Sequence, residues 1–255
     1  MIRDLFIKLK NFFYHKNLKK LFYKINYSNK NVLITGSNSG IGLALVKIFL
    51  KFNNTVYAIV NAKDNNLKKI HNKNLIIIKC NLSNIKNLDS LKKILKNKII
   101  NLIINCAVSR SPKNDILGNI NYHIFSKSLI VNALAVLKIS EIVMQVSKQK
   151  NLETIVNLSS RMGSIKNNFK GNDYIYRVTK TALNAITKNM SINLLKKNGV
   201  KVFAVCPGNV RTQINPMALT KPETCALNLI HLISKATNKL NGKFIDLTNG
   251  KEISW

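Results

Sequence analysis

The sequence predicts an α/β fold, a doubly wound sheet of about seven parallel strands with helices on both faces. From residue 31 onward, short apolar runs alternate with longer segments whose apolar positions recur near every 3.6 residues. Strands that alternate with helices in this way pair in parallel, with right-handed crossovers. The first run leads straight into a turn carrying three glycines, and a helical pattern follows it. No short repeat and no Pro/Gly-rich linker interrupts the alternation, so residues 31–255 read as a single domain.

Residues 1–30 stand apart. Ile2, Leu5, Phe6, Leu9, Phe12 and Phe13 recur at helical spacing with lysines between them, a basic amphipathic extension. The segment lacks the roughly 18 consecutive apolar residues of a membrane span. It also lacks a signal-peptide pattern. Its readings are an organelle-targeting arm, a membrane-surface helix, a packed extra helix or an upstream start. The predicted strands then follow in order at 31–35, 55–60, 74–80, 99–107, 154–160, 200–206 and 243–247. The first predicted helix presents Leu43, Leu45, Val46, Ile48, Phe49 and Leu50 on one face.

Composition narrows the function. The chain carries 41 Lys and Arg against 10 Asp and Glu, for a net charge of +31. Nearly all the positive residues are lysines, spread evenly beside abundant Asn and Ile, residues that share adenine- and thymine-rich codons. That pattern favours a compositional origin over a nucleic-acid interface, which clusters charge and often prefers Arg, so no nucleic-acid partner is expected. Cys80, Cys106, Cys206 and Cys225 lie far apart without metal-ligand spacing and read as reduced core residues. The four histidines are scattered, so a metal site or a Ser-His-Asp triad has little support.

The glycine turn, TGSNSGIG at Thr35–Gly42, carries the first functional signal. Gly36 suits the tight exit from the strand, Gly40 a close approach of backbone to pyrophosphate, and Gly42 close packing of helix on strand. The helix N-terminus would present free N–H groups to phosphate. The spacing is GxxxGxG, and at this point the sequence resembles the cofactor loop of the short-chain dehydrogenase/reductase family. Other segments match the same family: NCAV with Asn105 and Ala107, VNALAV with Asn132, IVNLSSRMGS with Ser160, YRVTK with Tyr176 and Lys180, and CPGNVRT with Pro207, Gly208, Val210 and Thr212. Cys106 and Val108 depart from the family's Asn-Asn-Ala-Gly. The resemblance spans residues 31–255 and is nearest to carbonyl-reductase-like members, which end in Gly-x-Phe, a short strand and a terminal Trp. Ser160 and Tyr176 are 16 positions apart, longer than the family's usual spacing.

The resemblance implies a Rossmann-type fold and an NAD(P)-dependent oxidoreductase that moves hydride between nicotinamide and a carbonyl or alcohol. Tyr176 would be the proton donor, and Lys180 would lower the pKa of its phenol and hold the nicotinamide ribose. Ser160 would polarise the carbonyl, with Ser159 its competitor, and Asn132 would hold a water leading to solvent. The implied cofactor residues are Gly36, Ser39, Gly40, Ile41, Gly42, Asn61, Asn81, Leu82, Asn105, Ala107, Tyr176, Lys180, Pro207, Gly208, Val210 and Thr212. Asn81 stands where the family has an aspartate against adenine. The second strand ends in Val60-Asn61 rather than an acid, and Lys63 lies nearby, so NADPH is favoured over NADH.

Taken singly, the motifs have blander readings. Tyr176 and Lys180 would be a solvated helix pair, the serines a strand-end cap, Asn132 an exposed polar residue in a helix, Cys106 core filler, and Pro207-Gly208 a plain turn. Their joint order outweighs these. The expected partner is a small carbonyl or alcohol, with the segment after Thr212 as a substrate lid. The alternatives are a 3-oxoacyl-carrier-protein reductase and a non-catalytic nucleotide-binding regulator. A cytoplasmic location is expected, with organelle targeting or peripheral membrane contact through residues 1–30, and a homo-oligomer, left open.

Overall fold

A computed structural model describes residues 27–61, 66–109, 115–147 and 151–255. The expected N-terminal extension lies outside the described residues up to position 26, as do Lys63 and Asp64.

Seven strands form one sheet: β1 Asn31–Thr35, β2 Thr55–Val60, β3 Leu75–Lys79, β4 Leu102–Asn105, β5 Thr154–Leu158, β6 Lys201–Cys206 and β7 Phe244–Asp246. Their order is β3-β2-β1-β4-β5-β6-β7, and every pairing is parallel. β1 and β2 match the predicted bounds. The run at 99–107 overreaches, because Ile100 and Asn101 belong to the turn entering β4. There the Asn101 side chain accepts the Asn31 N–H at 2.9 Å and donates to the Asn151 carbonyl at 3.1 Å.

The helices are α1 Gly40–Lys51, α2 Ser90–Leu95, α3 Tyr122–Leu129, α4 Ala135–Val146, α5 Tyr174–Asn198 and α6 Pro222–Ser234. A π-turn at Ile130–Leu134 joins α3 to α4. Both faces of the inner strands are covered, so they read as continuous apolar runs whose successive side chains enter opposite cores, while at the edge strand β3 only Ile78 is buried. Val32, Ile34, Val56, Ile104, Val156 and Phe203 face α1 and α6. Leu33, Tyr57, Ile59, Ile103, Ile155 and Val202 face α2, α4 and α5.

The chain winds outward from β1 to β3 and then returns to β4 on the other side of β1. This reversal opens a crevice at the carboxyl ends of β1 and β4, where open parallel sheets bind ligands. The two ends are tied together: the Thr35 hydroxyl accepts the N–H groups of Cys106 and Ala107, each at 3.1 Å. Gly36, at φ +68°, lies so close to β4 that a Cβ would come 2.7 Å from the Ala107 Cα. Two residues into α1, a Cβ on Gly42 would fall 2.2 Å from the Gly36 carbonyl oxygen. The opposing atom is backbone, so the helix would have to lift off the turn. Gly42→Ala is therefore expected to lower the free energy of unfolding by about 3 kcal/mol, read from denaturant midpoints.

Candidate active site

The site is assembled where β5 meets α5. β5 ends at Leu158, and Ser159 and Ser160 lead into a 3₁₀ turn at Arg161–Gly163. The two serines take different directions. Ser159 is buried and donates to the Asn184 Oδ1 at 2.7 Å. Ser160 is half-buried and caps the turn by accepting the Met162 N–H at 3.2 Å, which leaves its proton available for another acceptor. The serine loop rests directly on α5. Thr181 Oγ1 and Asn184 Nδ2 both donate to the Gly163 carbonyl at 3.0 Å, and a Cβ on Gly163 would meet Lys180 backbone at 2.9 Å.

Tyr176 and Lys180 lie one turn apart on α5, and they are not the solvated pair that their spacing alone would suggest. Lys180 is only 3% exposed. Its Nζ donates to the Leu158 carbonyl at 2.8 Å and lies 5.8 Å from the centroid of the Tyr176 ring. The ammonium thus lies between the end of the serine strand and the Tyr176 ring. Burial pulls its pKa down from 10.5 to about 8, with the Cys106 and Cys206 sulfurs acting the other way. Burial also pushes the Cys106 thiol up to about 12, against the pull of Lys180.

Asn132 is likewise buried, at 1% exposure, not exposed as its isolated reading suggests. It sits in the π-turn, a form of local irregularity often found at functional sites. Its Oδ1 accepts the Ser109 N–H at 2.7 Å, and its Nδ2 donates to the Ser109 carbonyl and to Thr179 Oγ1, both at 3.1 Å. Both amide protons are spent on protein partners. Thr179 in turn donates to the Tyr176 carbonyl at 3.0 Å, so Asn132 braces the helix between tyrosine and lysine. The first turn of α5 is capped from a distance: Asp115 Oδ2 accepts the Ile175 N–H at 2.8 Å.

The residues implied for a cofactor occupy the carboxyl ends of the strands. Ser39 stands at the N-cap of α1 without a side-chain cap, and the first turn holds no acid, so its N–H groups and positive end face the crevice. Ile41 lies in that turn, half-buried. Asn105 is buried; its Nδ2 donates to Asn157 Oδ1 at 2.8 Å, while its own Oδ1 has no partner among the described residues. An unmatched buried acceptor at the crevice suits a ligand donor. The Pro207-Gly208 loop folds over the glycine turn, bringing Thr212 within 3.0 Å of the position a Gly40 Cβ would take. Val210 pairs with Thr220 and is buried. Asn61 and Asn81 lie exposed at the ends of β2 and β3, with Leu82 buried beside Asn81. Asn81 Oδ1 accepts from the Ser83 N–H at 3.0 Å and the Ser83 hydroxyl at 2.8 Å, which leaves its amide protons to face a base. Together, the uncapped helix end, the crowded glycines and the orphaned oxygen fit a dinucleotide.

Residues 30–222 match the family described as short chain dehydrogenase. The chain belongs to that family. Short-chain dehydrogenases are oxidoreductases acting on carbonyl or alcohol groups with a nicotinamide cofactor. The chain is similar to the carbonyl reductase Sniffer of D. melanogaster, with 26% identity and a TM-score of 0.79 over 90% of this chain and 100% of the other. It is similar to the NADPH-bound carbonyl reductase from chicken fatty liver, with 25% identity and a TM-score of 0.78 over 90% and 100% of the two chains. It is also 28% identical to the 3-oxoacyl-acyl-carrier-protein reductase FabG of Rickettsia typhi over 194 residues, 74% of this chain and 76% of that protein.

Sequence reasoning passed over Thr179, Gly163, Asp115 and Arg161. Only Gly163, three residues past Ser160, carried a local signal. The buried ammonium yields a test. Between about pH 8 and 10.5 the unfolded chain holds a proton that the folded chain has shed, so stability rises with pH across that window. Below it, Lys180 carries a cost on the order of 3 kcal/mol. Denaturation from neutral pH to about 10.5 is expected to show the wild type gaining roughly that amount relative to Lys180→Met. Parallel profiles for the two proteins would mean that the amine is not desolvated.

Proposed function

We propose that the protein is an NADPH-dependent carbonyl reductase whose proton donor is Tyr176. The observation that carries this reading is the Lys180 ammonium buried between the Leu158 carbonyl and the Tyr176 ring. A cation there stabilises the negative charge that the phenol oxygen carries once its proton has left. When bound, the reduced nicotinamide supplies a hydride to the carbonyl carbon. Tyr176 gives its proton to the carbonyl oxygen, leaving a phenolate beside Lys180. Ser160, the serine with a proton to spare, donates a hydrogen bond to the same oxygen. Ser159 is spent on Asn184 and holds the loop. Lys180 steadies the phenolate until a proton returns.

The choice of NADPH rests on the end of β2, where Asn61 stands in place of a carboxylate that would repel a ribose phosphate. The substrate is an apolar carbonyl compound. Ile116, Leu117, Ile165, Phe169, Met217 and Leu219 are all exposed on the loops that follow β4, β5 and β6, the rim of the crevice. The likeness to FabG supports a second reading, a 3-oxoacyl group carried on an acidic protein and drawn to Lys166, Lys170 and Lys221 on the same loops. Acyl-carrier thioesters and free ketones separate the two readings.

The test follows absorbance of NADPH and NADH with a panel of ketones, aldehydes and 3-oxoacyl thioesters. Tyr176→Phe is expected to lose about 10² to 10⁴ of kcat with cofactor affinity kept. Ser160→Ala is expected to lower kcat by a similar order, while Ser159→Ala acts chiefly on stability, through one buried hydrogen bond worth about 1 kcal/mol. If wild type and Tyr176→Phe are equally inert while both bind cofactor, the protein is a nucleotide-binding regulator instead.

A further inference from the structure

Only five of the 41 basic residues are arginines, and one of them, Arg161, directly follows Ser160. Its side chain is two-thirds exposed and pairs with Asp246, which is 1% exposed at the end of β7. The two oxygens of that carboxylate have separate duties. Oδ2 accepts Arg161 Nε at 3.0 Å and its Nη2 as well. Oδ1 accepts the Thr248 N–H at 2.8 Å and the Thr248 hydroxyl at 2.6 Å. Thr248 presses its methyl against the Pro207-Gly208 loop so closely that a Cβ on Gly208 would lie 2.4 Å from Cγ2.

The same stretch of chain grips the serine loop a second time. Ser164 Oγ donates to the Ser254 carbonyl at 2.6 Å, and the Lys166 N–H reaches the Trp255 carbonyl at 3.4 Å. Trp255 is itself stacked on Phe244 of β7, with ring centroids 5.5 Å apart. An ion pair with so exposed a partner adds little to global stability. Burying the carboxylate is nonetheless costly, and the cost is met by hydrogen bonds that fix direction. Burial pushes the Asp246 carboxyl up, but the Thr248 and Arg161 hydrogen bonds outweigh it and keep the group below its usual range, hence ionised. A planar fork on one oxygen needs arginine; lysine, common everywhere else in this chain, is a point charge and sets no plane.

We propose that Asp246 is a positioning residue that fixes the serine wall and the nicotinamide wall of the crevice relative to one another, through Arg161 on one oxygen and Thr248 on the other. The proposal rests on the roles of Ser160 and the Pro207-Gly208 loop in the reductase reading. It makes the two walls separable. Arg161→Lys keeps the charge and loses the fork, so the serine wall moves. Thr248→Val keeps the shape and loses the hydroxyl, so the cofactor wall moves.

The test uses the full chain with Arg161→Lys, Thr248→Val and Asp246→Asn, measuring melting temperature, NADPH affinity by fluorescence, and kcat on the best ketone. Arg161→Lys is expected to lower kcat about tenfold with NADPH affinity within about twofold. Thr248→Val is expected to weaken NADPH binding about fivefold with kcat within about twofold. Asp246→Asn is expected to do both. The two single-wall variants are expected to melt within a few degrees of wild type. Should Asp246→Asn fail to fold, those two still decide, because each changes an exposed side chain. Equal changes in kcat and affinity for both variants, or no change in either, would overturn the proposal. NADPH affinity is read without turnover, so a wild type that reduces no ketone would sink the reductase reading and leave the Thr248→Val comparison standing.

Discussion

One hydrogen bond organises the site: the Lys180 ammonium, cut off from water, held on the Leu158 carbonyl at 2.8 Å. A cation in such a place is unfavourable by itself. It persists because the rest of the fold leaves it no other position. β5 brings the carbonyl, the serine loop presses on α5 through Gly163, and the π-turn with Asn132 braces the helix from the far side. Stability is given up at this one point to hold a positive charge against a phenol. Enzymes commonly concentrate strain where their chemistry is done.

The fold was legible because its determinants are local. Each strand is an apolar run bounded by polar residues, and each helix repeats its apolar face, so β1 and β2 could be read to the residue. The glycine turn was legible for the same reason: three glycines between one strand and one helix. The candidate catalytic residues stand out in the sequence only as a joint pattern, since no member is informative alone. What escaped notice depends on partners distant in sequence. Asn132 is buried because Ser109 and Thr179, 23 and 47 residues away, satisfy its amide. The preference for Ser160 over Ser159 rests in the sequence on the family pattern alone, and the hydrogen bond from Ser159 to Asn184, 25 residues away, is a contact that no local pattern shows. Asp246 carried no signal at all, being one acid at the end of a short strand.

The crevice is built from three directions that the chain visits at different times. The switch between β1 and β4 provides the cofactor floor, and the residues there are small or buried, as close backbone packing requires. β5 and α5 provide Ser160, Tyr176 and Lys180. β6, β7 and the residues after them provide the wall that closes over the glycine turn. The apolar loop residues lie outside all three, on the rim, where side chains change without disturbing the sheet. The sheet and its packed helices are thus held by buried contacts, while the loops beyond the strand ends are free to differ.

Adjacent serines pointing in opposite directions also set where this chain tolerates a change in length. Upstream of them, loss or gain of a single residue in β5 would rotate the pair by half a turn, burying one alcohol and presenting the other. Downstream, the stretch from residue 165 to 172 is largely exposed, so added length there would leave the register of β5 unchanged. Added residues would therefore turn the serines on one side of Ser160 and leave their direction unchanged on the other, although the two sides are only a few residues apart.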